Sequence, residues 1–159
     1  MPKIHPNDKR VLRTLASQGI QLEPLEGIDW SSRGYVLDRD GHIAGLGLYE
    51  CEVSDVSPLS GLAQLQEILL NDTQVRDLSP LSGLTQLQTL DLRDTPIETL
   101  PPWILTSKMG IQWKNSWSPT KDKGHIILYD NPLKSPPVEI VKQGKEAIRQ
   151  YFLSKDKAL

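Results

Sequence analysis

Apolar residues in the middle of the chain recur in sets of five, spaced i, i+3, i+5, i+8 and i+10. The first set is Ile43, Leu46, Leu48, Cys51 and Val53; the second is Leu65, Ile68, Leu70, Thr73 and Val75. The third, Leu87, Leu90, Leu92, Thr95 and Ile97, again begins 22 residues after the one before it. A fourth follows a longer spacer: Lys123, Ile126, Leu128, Asn131 and Leu133. The repeat extends to polar positions, since VSDVSPLSGLAQLQ at 53–66 returns as VRDLSPLSGLTQLQ at 75–88 with three differences. Within each set the second and third members lie two apart, the period of a strand that sends alternate side chains into a core. So short a strand cannot bury its apolar side alone. Successive units must therefore stack with their strands parallel and their leucines in one continuous core. The fourth member sits where the chain turns away from the strand. Cys51, Thr73, Thr95 and Asn131 occupy it, and each can donate a hydrogen bond into the bend. Pro58, Pro80 and Pro102 fall in register after the apolar Val56, Leu78 and Leu100, which predicts turns or 3-10 segments on the return side.

The ends of such a stack need covers. NDKRVLRTLASQ at 7–18 predicts a helix with Asn7 as N-cap, an inner face of Val11, Leu12 and Leu15, and Gly19 as its stop. GYVLDRDGHIAGLGL reads as strand, Asp-Gly turn and strand, a hairpin over the N-terminal edge. From Leu92 to Leu128 the interval is 36 residues rather than 22, and the insert carries Trp103, Trp113 and Trp117. By register Trp103 takes the convex inward place of Leu59 and Leu81. Ile111-Gln112-Trp113 alternates like a short extra strand, and Trp117 lies in a polar loop. Trp113 and Trp117 read either as a cluster that pins the loop or as an exposed binding patch. At the other end Pro136 and Pro137 stop the last strand. A first short helix with Val138 and Val141 closes the C-terminal edge, and Gly144 separates it from a second. That second helix carries Ile148, Tyr151 and Phe152, with Lys145, Arg149, Lys155 and Lys157 on its cationic side.

Composition sharpens this reading in three respects. A hydrophobic content of 38% with 24% charged residues suits an elongated stack with much surface per residue. A net charge of −2 gives no general pull toward nucleic acid or an anionic membrane, so neither is expected as a partner. One cysteine excludes an internal disulfide, the N-terminal MPKIHPNDKR has no apolar leader core, and no run approaches the ~20 apolar residues of a span. A cytoplasmic location is the expectation. In that setting the Asn71-Asp72-Thr73 triplet carries no glycan.

No catalytic residue, cofactor or metal is expected. Gly144-Lys145 lacks the upstream glycine of a phosphate loop, because position 139 is Glu139. His5, His42 and His125 stand in no ligand spacing. Glu67 and Asp91 project from adjacent strands on an open face, without the enclosure that acid/base work requires. That face is the candidate protein-binding surface. Gly47, Leu69, Asp91 and Ile127 form one row and Tyr49, Asn71, Arg93 and Tyr129 the next, with Glu67 beside them.

The repeats at 43–100 resemble bacterial leucine-rich repeats with the DLSPLSGLTQLQ type of return. The fold class expected is α/β: a short leucine-rich repeat solenoid with a parallel concave sheet, convex turns, an N-terminal helix-hairpin cap and a C-terminal helical cap. Its parts are the cap at 1–42, about four coils at 43–136 with an insert near 103–122, and the helical cap or linker at 137–159. The stretch GIQWKN…GHIILYDNPLKSPPVEIVKQGKEAIRQYF, over 110–152, is similar to the segment joining repeats to the GTPase domain in bacterial Roco proteins. It combines Asn-Pro-Leu, Pro-Pro-x-Glu-Ile-Val and Gly-x-x-Ala-Ile in fixed order, although long Roco repeat domains carry more coils. The resemblance implies a non-catalytic interaction module preceding a Roc G domain and a COR dimerisation domain. Its partners would be proteins bound on the concave face or the Trp-containing insert, or its own downstream G domain. On this view the reading frame continues past Leu159, and Ile148, Tyr151 and Phe152 await the following domain. The alternative is a self-contained leucine-rich repeat adaptor.

Overall fold

The computed structural model describes residues 2–157. Helix α1 (Pro6–Ser17) comes first, then strands β1 (Glu23–Pro24), β2 (Arg33–Leu37), β3 (Ile43–Leu48), β4 (Glu67–Leu69) and β5 (Thr89–Asp91). Strands β6 (Gly110–Trp113) and β7 (His125–Leu128) follow, then helices α2 (Val138–Val141) and α3 (Lys145–Lys157). All the strands join one sheet in the order β1-β2-β3-β4-β5-β7-β6. Pairing is parallel from β3 through β4 and β5 to β7, and Leu46, Ile68, Leu90 and Ile126 stand in one register. Those residues and their partners Leu48, Leu70, Leu92 and Leu128 are buried in one continuous core. The return segments are 3-10 turns at Ser57–Gly61, Ser79–Leu81 and Pro102–Leu105. The expected architecture holds: a short α/β solenoid with a parallel repeat sheet and turns behind it.

The N-terminal cover differs from expectation at its first residue. Pro6 occupies the first turn of α1, where a missing N–H costs nothing, so the cap falls on His5, whose Nδ1 accepts from the Asn7 N–H at 3.3 Å. Asn7 is inside the helix rather than its N-cap. The C-terminus is as expected. Gly19 takes φ 86°, the Gly19 N–H donates to Ala16 O and the Ile20 N–H to Leu15 O, and both Leu15 and Ile20 are buried. Strands β2 and β3 form the antiparallel hairpin, and the two-residue β1 lies parallel outside it as the true edge.

The insert does two things that spacing alone did not convey. Its strand β6 pairs parallel with β7 on the side away from β5, so the C-terminal edge of the sheet is β6 rather than α2. Its 3-10 turn is also rotated. Pro102 holds Pro101 extended (φ −72°, ψ 147°) as the residue before the turn, whereas the first two turns are entered one repeat position earlier, from Val56 and Leu78, which lie near the helical region. The turn starts late, Ile104 takes the buried place of Leu59 and Leu81, and Trp103 is half-buried with its indole N–H on Leu78 O at 3.2 Å.

Gly144, at φ 99°, separates α2 from α3 as expected. The apolar face of α3 folds back on the repeats through Ile148. Ile148 is fully buried in the repeat core, Phe152 packs against it, and Tyr151 Oη reaches Ser135 Oγ at 3.4 Å. Lys145 Nζ donates to Ser107 O at 2.6 Å and Met109 O at 2.8 Å, tying α3 to the start of the insert strand. The last coil would otherwise leave this apolar end in water, and the nearest surface able to cover it is the helix itself. The side chain of Lys157, and any continuation past Leu159, lie outside the described residues.

Candidate functional site

The side chains between the inward leucines stack in rows across the concave face. Gly45, Glu67 and Thr89 form one row, and Gly47, Leu69, Asp91 and Ile127 the next, with Gln112 beyond. Tyr49, Asn71, Arg93 and Tyr129 follow as the chain leaves the strands. The rows are as the repeat predicts, but their exposure is not. Leu69, Asn71, Asp91, Arg93 and Ile127 are all buried, while Tyr49, Glu67 and Tyr129 are half-buried. Two segments of the chain itself lie over the centre. Trp117, 6% exposed, packs with Leu69 and Ile127, and Ile28 joins them from the N-terminal side. A pair of aliphatic residues at mid-sheet offers a Trp ring an apolar seat worth on the order of 2 kcal/mol. Trp117 therefore pins the insert on Leu69 and Ile127, but the expected pairing of Trp113 with it is not what the fold uses: Trp113 tilts against Tyr129 at 5.8 Å.

Glycines in the first coil make room for the N-terminal segment. A Cβ at Gly45 would meet Ile28 Cγ1 at 3.1 Å, and one at Gly47 would meet Ser32 O at 2.5 Å. The Asn71 amide donates to Trp30 O at 2.9 Å. On the other side the Gly124 N–H donates to Thr89 Oγ1 at 3.2 Å, and the loop is closed by the Ser118 N–H on Asp122 Oδ2 at 2.6 Å and an ion pair between Lys114 and Asp122. Beneath this cover Arg93 and Asp91 form a two-pronged pair, Nε to Oδ1 at 2.9 Å and NH2 to Oδ2 at 2.7 Å. Burial pulls the Arg93 pKa down, but Asp91, with Asp94 and Asp72, outweighs it and holds the guanidinium above its ordinary value. Burial pushes the Glu67 carboxyl up, with Lys123 opposing. Asn71 Oδ1, Gln112 Oε1, His125 Nδ1 and Trp117 Nε1 are buried without a hydrogen-bond partner among the described residues.

What stays open is the rim at the C-terminal ends of the strands. Glu50, Asp72, Asp94 and Asp130 take φ values of 54°, 58°, 56° and 55°, one in each coil. They form an acidic ladder whose rungs are about 4.8 Å apart, the spacing of paired strands. Partial burial raises the Asp72 carboxyl, as does Glu50; burial followed by Asp72 and Asp130 raises Asp94. The neighbouring Glu50 carboxylate holds the Tyr49 phenol above its usual value. At one end of the ladder stands Trp30, 52% exposed and edge-on to Tyr49 at 5.4 Å. Neither the ladder nor Trp30 was among the expected site residues. The signal was present, because an acid directly precedes each bend residue: Glu50-Cys51, Asp72-Thr73, Asp94-Thr95 and Asp130-Asn131.

Three of the four bends follow expectation. Thr73 Oγ1 donates to Leu70 O at 2.6 Å and Thr95 Oγ1 to Leu92 O at 2.8 Å. Asn131 Nδ2 reaches back one coil to Leu92 O at 2.7 Å. Cys51 is buried and free of disulfide. Off the sheet, a cleft of about 450 Å³ lies between the second return and the insert, with Leu87, Trp103 and Met109 as apolar wall and Lys108 and Lys123 as cations. The fold also joins residues that sequence spacing kept apart, since the rings of His5 and His42 stack with centroids 4.2 Å apart beside Asp8.

The coils have the leucine-rich repeat fold. Residues 63–105 match a model for leucine-rich repeats in two copies. Two solved structures are similar in fold, an internalin (inlF) and an internalin C2 (inlC2), both from Listeria monocytogenes. The first aligns at 18% identity with a TM-score of 0.44, covering 82% of this chain and 33% of that one. The second aligns at 21% identity with a TM-score of 0.43, covering 72% of this chain and 52% of that one. This chain thus spans about a third and about half of the two. No curated protein matches it.

Proposed function

We propose that the chain is a non-catalytic protein-binding module that docks its partner on the open rim, from Trp30 and Tyr49 along Glu50, Asp72, Asp94 and Asp130 to Tyr129. The observation that carries this reading is Trp30. It is the most exposed large apolar side chain among the described residues, and Trp and Tyr beside charge are what interface centres use. The acidic ladder selects a partner segment that brings Lys or Arg. The covered centre, with Leu69, Asn71, Asp91, Arg93 and Ile127, serves as the rigid floor on which the rim stands. Photoreactive residues placed at 30, 49 and 129 should crosslink a protein partner in cells, and residues at 60 and 82 on the convex side should not. Crosslinks confined to the convex pair would move the site there.

The finer reading is the repeat region of a bacterial Roco-type protein, in the cytoplasm, regulating a G domain that follows. It rests on the resemblance of 110–152 and on the free thiol of Cys51, and it takes no account from any membrane element: among the described residues no helix is long and apolar enough to cross a membrane. A phosphate-loop motif encoded within roughly a strand's length after Leu159 supports this attachment, and a stop codon there removes it. The chain alone should bind no GTP.

A further inference from the structure

Three donor groups converge where the N-terminal helix meets the hairpin. One ligand atom from each of His5, Asp8 and His42 lies within 4.8 Å of the other two. Their meeting is built by the backbone. The His5 N–H donates to Gly41 O at 2.8 Å, and Gly41, at φ 84°, lies so close to Lys3 that a Cβ would sit 1.9 Å from its carbonyl oxygen. The hairpin turn is thereby pressed against residues 3–5, and His42, the first residue after it, is carried onto His5. Asp8 is buried, and its Oδ2, the oxygen nearest His42 Nδ1, accepts the Ile43 N–H at 2.7 Å, which orients the carboxylate.

Clamping α1 to β3 accounts fully for Asp8. It does not account for two imidazoles stacked at 4.2 Å with an interplanar angle of 27°. Their nitrogens make only long contacts among the described residues: Asn7 N to His5 Nδ1 at 3.3 Å, and His42 Nδ1 to Asp8 Oδ2 at 3.5 Å. Both rings are half-buried, so one side of the group faces solvent. Two imidazoles and one oriented carboxylate, with a position left for water, form a donor set for zinc or a neighbouring late first-row divalent ion. Calcium and magnesium require more oxygen than is present. A hydrogen bond that orients the ligating carboxylate is a usual companion of such a site.

We propose that His5, Asp8 and His42 bind one divalent transition-metal ion of the zinc class, stapling the N-terminal helix to the first repeat strand. The ion replaces the two long contacts with coordination bonds and stabilises the folded chain by mass action. The test uses the full chain and the metal alone. Zinc chloride should raise the thermal midpoint relative to EDTA, and cobalt(II) should bind with one-to-one stoichiometry and give visible ligand-field bands. His42→Gln and His5→Gln should each weaken binding at least about tenfold, and His125→Gln should leave it unchanged. In the unaltered chain, paramagnetic broadening by cobalt(II) in amide NMR spectra should centre on residues 5, 8 and 42. That measurement decides the matter even where a variant fails to fold. Absence of binding at micromolar metal, broadening centred on His125 or on the acidic rim, or affinity retained in both His5→Gln and His42→Gln would overturn the proposal.

Discussion

At the scale of single residues, the bend positions show how one hydrogen bond per coil fixes the repeat. Thr73 is buried and its hydroxyl donates to Leu70 O across a tight turn. Replacing it with Val keeps the shape but leaves that carbonyl without the donor. Thr73→Val should therefore destabilise the chain by about 1–3 kcal/mol, read as a lower denaturation midpoint with an unchanged denaturant slope. Thr73→Ser, which keeps the hydroxyl, should recover most of the loss. An unaltered midpoint in the valine variant would remove Thr73 from the ladder. Among the described residues Cys51 in the first coil makes no such donor bond, so the ladder strengthens toward Asn131, whose amide bonds Leu92 O and also Thr95 O at 2.9 Å. These positions could be read from sequence because the bend demands a small donor at a fixed distance from the strand. The burial of Asp91 and Arg93 could not. Their two-residue spacing on one face shows that they can pair, whereas their burial comes with the cover of Trp117, more than twenty residues away, and of Ile28 from the N-terminal end of the same face.

At the scale of elements, two segments carry energies that the repeat pattern does not contain. The loop holding Trp117 is a cover fastened by one ring and a few hydrogen bonds, and polar atoms buried on this face, Trp117 Nε1, Asn71 Oδ1 and Gln112 Oε1, lack hydrogen-bond partners among the described residues. Each such atom offsets part of what the ring gains. Opening of this loop should thus be the cheapest local excursion of the sheet face. Trp117→Ala should raise the rate of tryptic cleavage at the exposed Lys121 and Lys123 by about tenfold or more, equivalent to about 1.4 kcal/mol in the opening equilibrium. Its thermal midpoint should fall less than in the variant considered next. Helix α3 is of the other kind. Ile148 is fully enclosed by the repeat core, and Ile148→Ala should cost about 2–5 kcal/mol. An unchanged melt for Ile148→Ala would mean that α3 leaves the core in solution and is free to meet another domain. The helix was legible in the sequence from Gly144 and the spacing of Ile148, Tyr151 and Phe152. Its destination was not, because an apolar stripe records that something is covered without recording what. Likewise the insert strand could be read from Ile111-Gln112-Trp113, but its place outside β7 depends on where the chain returns after Trp117.

At the scale of the whole molecule, stacking identical coils repeats every local choice in a line, including unfavourable ones. The left-handed turn after each strand accepts Asp more readily than most residues, and this chain uses an acid there in four coils. The result is a row of like charges whose repulsion is present only when the row is assembled. Partial burial and the neighbouring acids raise the Asp72 and Asp94 carboxyls above the ordinary 3.8 in the folded state. Between that ordinary value and the raised one, the folded chain holds protons that the unfolded chain has released. Stability must then increase as the pH falls through this window, and the increment ceases below the unfolded value. The sign is opposite to that of a salt-bridged carboxylate. Asp94→Asn, which removes the charge and keeps a side chain suited to positive φ, should raise the thermal midpoint. The gain should be larger at about pH 7 than at about pH 4, and smaller in high salt, where screening already weakens the row. The same variant should weaken a cationic partner on the rim, so that stability and binding move in opposite directions. A gain that is equal at both pH values would assign the effect to backbone preference alone and leave the ladder without an electrostatic role.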